Sequence, residues 1–435
     1  MVQAMIDAFG QADLRRRILL TLGLLVVFRF VAHVPVPGAD VEAMREFLGG
    51  TTGIAPLLGM LDLFSGGAMR NVSIAAMGVY PYITAVIIMQ LLVPVIPRLQ
   101  AIAREGEAGR ARINQYTHWL TVPLAALQGY AQLMMLQQYG IVSNIGLSGD
   151  ALLPTVAMVL CMTAGTMFLV WLGELITEYG IGNGISLIIF GGIVCTLPEI
   201  IGRGLLARET GGGLIGLLIL LALALVIVVA IVIFTEAHRR IPVQYARSLF
   251  RGGRMYRQSG GTHIPMRVNS AGMIPLIFAM ALIMLPGVIA SFFAGPVGQE
   301  NFANTVVALF AIGSPFYWVM FFFLAVGFTF FYTMIIFQQQ NLGETLQRQG
   351  AFVPGIRPGK PTQQYLNRVI TKITWAGALF LGAVAISPFI AEKISGVVAL
   401  TLPAIGMLIV VGVALDTMRQ LEAQLLMRRY EGFLK

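Results

Sequence analysis

Charged side chains are scarce in this sequence. Asp, Glu, Lys and Arg make up only 11% of its 435 residues, while hydrophobic residues make up 57%. Soluble proteins are usually about a quarter charged, so this composition excludes an ordinary water-soluble domain. Several apolar runs approach or exceed the ~20 residues that cross a bilayer as a helix, and β-barrel strands would be shorter and alternating. The sequence therefore predicts an all-α polytopic membrane protein.

Groups for catalysis, metal binding and disulfide formation are equally few. Cys161 and Cys195 lie in separate apolar runs, and the four histidines are scattered without the spacing of metal ligands. No P-loop motif is present, so nucleotide hydrolysis by that route is excluded. The glycine-rich stretch GIGNGIS (180–186) lacks the strand–turn–helix context of a phosphate site, and we expect it to be a tight turn between two spans. The apolar runs contain no carboxylate pair and no Ser–His arrangement. We therefore expect no metal site, no cofactor and no enzymatic activity.

Ionisable groups are almost absent from the apolar runs. Ion-coupled transporters usually keep such groups near the bilayer midplane, so a proton-driven or sodium-driven transporter is disfavoured. An inverted-repeat secondary transporter remains the alternative, with an intramembrane enzyme as a further one. Arg29 is the nearest exception, and we interpret it as an arginine that reaches from a helix end to the membrane surface.

Ten segments are predicted to cross the membrane. Most of the 29 Lys and Arg residues fall on loops on one side, together with both termini. By the positive-inside rule, that side is the cytoplasm. Ten spans divide into two five-helix halves, and an odd number per half gives inverted pseudo-symmetry. The predicted spans are roughly residues 18–34, 74–96, 117–137, 152–172, 183–202, 213–235, 269–292, 310–337, 368–390 and 398–416.

These spans divide the chain into two halves joined by an external hinge at 203–213, where the sequence is RGLLARETGGG. The N-terminal half, 1–202, holds the first five spans. The C-terminal half, 213–435, holds the other five, together with cytoplasmic loops at 236–268 and 338–367 and a C-terminal tail at 417–435.

The two cytoplasmic loops are longer than the 2–8 residues that usually connect packed helices. The first alternates the stretch IPVQYA with arginines and a Gly-Gly pair, a pattern that predicts a short finger resembling a β-hairpin. A solvated basic loop that only orients the helices would explain the charge. It would not explain the length or the aromatic content, which favour a docking surface.

The stretch LDLFSGGAMRNVS, residues 61–73, is too polar to span lipid and too apolar for a simple loop. It leads directly into the second span. Together with the second span, this stretch (61–92) resembles the SecY family, the channel subunits of the bacterial Sec translocase, and so do five other stretches. The other stretches are EGEAGRARINQYT (105–117), YGIGNGISLIIFGGIV (179–194), RRIPVQYARS (239–248), HIPMRVNSAGMIPLIFA (263–279) and GIRPGKPT (355–362).

The resemblance covers nearly the whole chain, in order, and implies a protein-conducting channel. Such a channel passes unfolded secretory proteins across the plasma (inner) membrane and releases membrane segments sideways into lipid. It is a passive pore driven by the SecA ATPase or the ribosome, in agreement with the missing P-loop. The implied partners are the SecE and SecG subunits, SecA, the ribosome, signal sequences, unfolded preproteins and membrane lipid.

The resemblance also implies a pore ring from the second, fifth, seventh and tenth spans. A narrow aliphatic ring can dewet and seal, and it has no polar group to bind a passing chain. Ile188 competes with Ile189 for the fifth-span position, and Val79 is smaller than the isoleucine that is frequent there in the family. The expected ring is Val79, Ile83, Ile185, Ile189, Ile277 and Ile409.

A re-entrant plug helix at 57–73 is expected to fill the outer funnel below this ring. We expect Asp62 and Arg70 to reach water, and Gly66 and Gly67 to weaken the half-helix by about 1 kcal/mol each relative to Ala. The expected plug residues are Leu61, Asp62, Leu63, Phe64, Ser65, Gly66, Gly67, Met69 and Arg70.

Two further sets of residues follow from the resemblance. A lateral gate toward lipid would use polar residues whose hydrogen bonds are weak enough to open, here Thr84, Gln128 and Asn269. Docking of SecA or the ribosome would use the arginine-rich loops, because arginine forks bind phosphates and carboxylates well. The expected docking residues are Arg239, Arg240, Arg247, Arg251, Arg254, Arg257, Arg357 and Lys360.

Overall fold

The computed structural model is predominantly helical, as predicted. It describes residues 9–49, 59, 62, 65–103, 105–143, 145–146, 149–206, 214–251, 254–292, 302–311, 314–340, 342–395 and 404–431. Its helices are α1 (Ala12–Val31), α2 (Val41–Gly49), α3 (Tyr80–Val95), α4 (Pro97–Ala103), α5 (Glu107–Gln138), α6 (Leu152–Tyr179), α7 (Gly184–Leu206), α8 (Leu214–Glu236), α9 (Ile274–Phe292), α10 (Phe302–Leu309), α11 (Pro315–Gln340), α12 (Leu342–Arg348), α13 (Lys360–Ser395) and α14 (Ala404–Glu431).

Three helices of the described chain are long and apolar enough to cross a membrane, namely Gly149–Tyr179, Pro315–Arg348 and Lys360–Ala391. A fourth crossing results if α3 and α4 count as one broken span, since they meet at 103°. Proline at this junction removes backbone donors, which favours the break. These criteria use length and composition alone, and the count of ten spans stays a prediction.

The chain forms two compact units. The first contains residues 1–211, 287–312 and 409–435, and the second contains 212–286 and 313–408. The inverted relation of two five-helix halves stays a prediction.

Close backbone contacts in the first unit depend on glycine. The stretch GIGNGIS forms the turn between α6 and α7, where Gly182 has a φ of +87°. A Cβ built on Gly184 would lie 1.8 Å from the carbonyl oxygen of Gly173, so no larger residue fits between these helices. The hydroxyl of Thr177 accepts a 2.8 Å hydrogen bond from the Gly184 amide. The expected tight turn is therefore confirmed.

The segment before α3 is held by neighbouring loops of the first unit. The Val36 amide donates to the Val72 carbonyl at 2.8 Å, and the Ile74 amide donates to the Val34 carbonyl at 3.0 Å. An isolated bridge pairs Pro35 with Ser73. These bonds fix the chain that enters α3, although the sequence there forms turns rather than a helix or a strand.

The second unit contains an antiparallel hairpin of β1 (His238–Arg251) and β2 (Arg254–Arg267), which confirms the predicted finger. Its register runs from His238 opposite Arg267 to Arg251 opposite Arg254. A two-residue strand β3 (Ala351–Phe352), from the other long loop, pairs with β1 on its free side. The two long loops, 236–268 and 338–367, therefore share one sheet.

One hydrophobic cluster joins these two loops to the helices beside them. It contains residues from β1, β2, α11, α12, β3 and α13, all buried against one another. Burial of such side chains contributes about 1.5–3 kcal/mol each. The two loops are thus parts of one packed layer. Its buried members are Ile241, Val243, Met266, Phe337, Leu346, Ala351, Val353, Leu366, Val369 and Ile370.

Candidate pore, plug and docking surface

The expected ring positions lie on α3, on α7, on α9 and on α14. Four of them are buried, with exposed fractions of 2% for Val79, 4% for Ile189, 9% for Ile277 and 0% for Ile409. Ile83 and Ile185 are partly exposed. Each residue is aliphatic, so none offers a polar group to a passing chain. The six as a ring stay a prediction.

Local structure accounts for the positions on α3 and α7. Val79 is the N-cap residue of α3, and its carbonyl accepts the Ile83 amide at 3.0 Å, which places the two residues one turn apart. Ile188, the rival of Ile189, is also buried, at 1% exposure. Ile185 packs against α6, since a Cβ built on Gly173 would lie 2.8 Å from its Cγ1.

The expected plug is described only in part, because Leu61, Leu63 and Phe64 lie outside the described residues. Asp62, Ser65 and the turn that follows are described. Gly66 and Gly67 have φ angles of +69° and +81°, in the left-handed region that favours glycine. The expectation that these glycines weaken a helix from within is wrong, because they form a turn.

Asp62 and Arg70 were expected to reach water, and for Asp62 this is wrong. Asp62 is fully buried, and its Oδ2 lies 2.6 Å from Nε of Arg70, whose side chain is 18% exposed. The other carboxylate oxygen, Oδ1, accepts the backbone amide of Arg70 at 3.1 Å. The Asp62 carbonyl accepts the Gly67 amide at 2.8 Å. The pair therefore closes a compact loop instead of facing solvent.

Two more residues complete this loop. The hydroxyl of Ser65 donates to the Asp62 carbonyl at 3.1 Å and accepts the Met69 amide at 3.2 Å. Met69 is 1% exposed, and its sulfur contacts the side-chain amide of Gln132 on α5. The described part of the expected plug is thus packed into the first unit.

The sequence interpretation of Arg29 is also wrong. Its guanidinium does not extend away from the protein, because Nη1 donates a hydrogen bond to the carbonyl oxygen of Gly66. The missed signal was the position of a charged residue within an apolar run, where it needs a protein partner. Also missed were Gly165 and Gly192, whose lack of a side chain lets the backbone of another segment approach closely. A single glycine in an apolar run does not show which segment will contact it.

The expected gate residues differ in how their polar atoms are satisfied. The hydroxyl of Thr84 donates to the Tyr80 carbonyl of its own helix at 3.0 Å. Gln128 Oε1 and Asn269 Oδ1 are buried and have no hydrogen-bond partner within the part of the chain that the structure describes. Gln90 on α3 shares this property through its Oε1. Unsatisfied buried oxygens are uncommon in folded proteins, so each of these three needs an explanation.

The docking residues fall on β1, on β2, in the turn before α13 and, for Lys360, at the first residue of α13. Arg239, Arg240, Arg357 and Lys360 are exposed. The other four have described backbone but lie outside the described side chains, namely Arg247, Arg251, Arg254 and Arg257.

The turn that carries Arg357 is rigidly supported. The Arg357 carbonyl accepts the Thr362 hydroxyl at 2.8 Å, and the Ile356 amide donates to the Val353 carbonyl at 3.0 Å. Ile356 packs on the hydrophobic cluster that Val353 belongs to. The guanidinium of Arg357 is therefore presented to solvent from an ordered base.

The comparison with family models decides the ancestry of the chain. The model described as SecY matches residues 73–418, which is most of the sequence. The chain belongs to the SecY family. A protein translocase subunit SecY of Streptomyces lividans is 41% identical over 446 aligned positions, with 100% of both chains covered. The SecY of Thermus thermophilus is also 41% identical and covers 100% of this chain and 98% of its own.

Solved structures support the same fold for this SecY-family chain. "The structure of a protein conducting channel" matches with a TM-score of 0.65 at 18% identity. "The plug domain of the SecY protein stablizes the closed state of the translocation channel and maintains a membrane seal" matches at 0.64 and 19%. "Sec61 in the Canine ribosome-channel complex from the endoplasmic reticulum" matches at 0.62 and 17%. Each comparison covers 94% of this chain and 91% of the other.

Proposed function

We propose that this SecY-family membrane protein is the channel subunit of a translocase that passes unfolded proteins across the plasma membrane. Full-length identity of 41% to protein translocase subunits SecY carries the proposal. The channel is a passive pore without enzymatic activity, and both termini are cytoplasmic. SecE and SecG are its membrane partners. An ion-coupled transporter would need charged groups at membrane depth, and Arg29 is committed to a backbone carbonyl.

In this proposal, the six aliphatic positions close around a translocating chain and exclude ions by dewetting. The loop from Asp62 to Arg70 supports the plug below them. Gln128 and Asn269 belong to a lateral gate for signal sequences, where their unpaired oxygens suit a seam that opens. Each such hydrogen bond is worth only about 0.6–2 kcal/mol in membranes.

The first prediction tests the pore. Cysteines introduced at Val79, Ile83 and Ile277 should form disulfides with a cysteine on a stalled secretory substrate, because all three line the path of the chain. The measurement is the cross-linked fraction on a non-reducing gel. Leu153, which is 77% exposed on α6, provides the control position. Absence of cross-links at all three ring positions, or equal cross-linking at Leu153, would contradict the pore assignment.

The docking surface is the second part of the proposal. Arg239, Arg240, Arg357 and Lys360 present positive charge from one packed layer. Phosphates of ribosomal RNA and carboxylates of the ATPase SecA are partners that arginine forks bind well. The energy for transport then comes from outside the channel.

The second prediction tests this surface with Arg357→Glu. We expect SecA-driven transport of a preprotein into vesicles to fall at least about tenfold, as is typical when one partner of a charge-assisted contact is reversed. The fold should persist, since the side chain is exposed. Arg348→Glu is the matched control, because it makes the same charge change in the same loop but breaks only an exposed pair with Glu344. Equal transport by both variants would remove Arg357 from the docking surface.

A further inference from the structure

Arg29 is the only charged residue between Ile18 and Val31 of α1. A guanidinium at membrane depth is costly, and it persists where protein groups compensate it. The group that binds it therefore indicates what the arginine is for.

The guanidinium of Arg29 binds the glycine turn of the loop from Asp62 to Arg70, called here the plug loop. Nη1 donates to the Gly66 carbonyl. A Cβ built on Gly67 would lie 3.5 Å from Nη1 and 4.0 Å from Nη2 of Arg29, so the guanidinium covers both residues of the turn. This contact joins two elements 37 positions apart in sequence.

The same turn rests against a second helix. A Cβ built on Gly66 would lie 2.7 Å from Cα of Gly192 on α7 and 3.0 Å from Cζ of Phe28 on α1. The backbone of the turn therefore lies directly on the backbone of α7. Arg29 and Phe28 of α1 contact the same turn.

Two of the polar contacts of the plug loop involve an arginine, and they differ in what they join. Asp62 and Arg70 belong to the same loop, so their ion pair holds its shape and moves with it. The bond from Arg29 to Gly66 instead joins the loop to α1. Because the carbonyl is neutral, breaking this bond leaves no unpaired charge on the plug loop. The contact can therefore break and form again.

We propose that Arg29 is a positioning residue for the plug. By binding the Gly66 carbonyl, it keeps the Gly66–Gly67 turn seated on Gly192 of α7, and loss of this bond releases the turn. The inference rests on the proposed function, which gives the plug its role as a seal.

The test measures, without any substrate, whether the plug loop stays packed against α1 and α7. Ala68 follows the turn and is 0% exposed, and Ala125 on α5 is also 0% exposed. Ala68→Cys or Ala125→Cys is placed in a full-length chain whose native Cys161 and Cys195 are replaced by Ser. The complex is embedded in vesicles, and the rate of modification by a membrane-impermeant maleimide is measured. In the parent chain, both introduced thiols should be protected.

Arg29→Met should raise the modification rate of the thiol introduced by Ala68→Cys about tenfold, the effect of losing one charge-assisted hydrogen bond. The thiol introduced by Ala125→Cys should stay protected. With Arg29→Lys, the modification rate should lie between the rates of Arg29→Met and the parent chain. A lysine keeps a charged donor but lacks the forked guanidinium.

Two glycine variants provide a matched second test. Gly66→Ala and Gly67→Ala both place a side chain at positive φ. Only Gly66→Ala also forces a Cβ against the backbone of Gly192, whereas Gly67→Ala meets nothing closer than 3.5 Å. Gly66→Ala should raise the modification rate of the thiol introduced by Ala68→Cys about as much as Arg29→Met does. Gly67→Ala should raise it less.

An unchanged modification rate in both Arg29→Met and Gly66→Ala would overturn the positioning role. Equal loss of protection at Ala68→Cys and Ala125→Cys would overturn it as well, since Arg29 would then support the whole fold. A released plug loop combined with absent substrate cross-links at the ring would sustain this inference and contradict the proposed pore. A plug loop that stays protected in both variants, combined with substrate cross-links at the ring, would contradict this inference and sustain the proposed pore.

Discussion

Arg70→Met should be among the most damaging single substitutions in the plug loop. It removes the cation beside Asp62, a carboxylate with no exposed surface. Breaking a buried pair from one side typically costs about 3–5 kcal/mol, because the remaining charge stays buried. We expect the loop to open, the melting temperature of the purified complex to fall by several degrees, and ion conductance of the closed channel in planar bilayers to rise.

Replacing the other member of the pair, by Asp62→Asn, should lower the stability of the complex by less. The arginine left behind is 18% exposed and can turn toward water, whereas the carboxylate cannot. The double variant Asp62→Asn with Arg70→Met should recover much of the loss, since neutral replacement of a buried ion pair is often tolerated. Equal effects of the two single variants, or an additive double variant, would contradict this account of the loop.

Gly165→Ala should be the second large effect, and it acts on the entry to α3. A Cβ at Gly165 on α6 would lie 2.0 Å from the carbonyl oxygen of Ile74 and 2.6 Å from its carbonyl carbon. Neither atom is the end of a flexible side chain. Residues 73–78 are also bonded to one another, with the Ala76 amide on the Ser73 carbonyl at 2.9 Å.

Relief of this collision must shift the backbone that carries Val79 into the expected ring. Overpacking usually costs 1–3 kcal/mol, and a clash with backbone belongs at the upper end, about 3 kcal/mol or more. Thermal melting of the purified complex measures the loss. Gly23→Ala in α1 is the matched control, because a Cβ there meets nothing within 4 Å and alanine favours a helix. Equal melting temperatures for the two variants would contradict the close contact.

The elements that the sequence predicted well are those with a local pattern. Apolar runs identified a helical membrane protein, and alternation beside a Gly-Gly pair identified the hairpin that β1 and β2 form. The stretch GIGNGIS has three glycines in seven residues, and it forms the expected tight turn with Gly182 at positive φ. Such patterns reflect the conformational preferences of residues close together in the chain, so these elements can be predicted from the sequence alone.

The errors concern contacts that only the tertiary structure creates. Polarity predicted that Asp62 faces water, but a partner eight positions later allows it to be fully buried. Arg29 resembled an arginine near a helix end that reaches solvent, but the Gly66 carbonyl lies within its reach. Composition shows that a charge needs compensation. It does not show whether water or a distant segment supplies it.

The sheet shared by the two long loops has a consequence for biosynthesis. Its hydrophobic cluster needs Val243 from the hairpin and Leu366 and Ile370 from α13. A chain made from its N-terminus reaches the hairpin long before it reaches α13, and early exposure of apolar surface invites aggregation. The apolar face of the hairpin is therefore not fully covered until about one hundred further residues have been synthesised. Only when α13 has been made can the hairpin and the turn that carries Arg357 form the single packed layer on which the proposed docking surface depends.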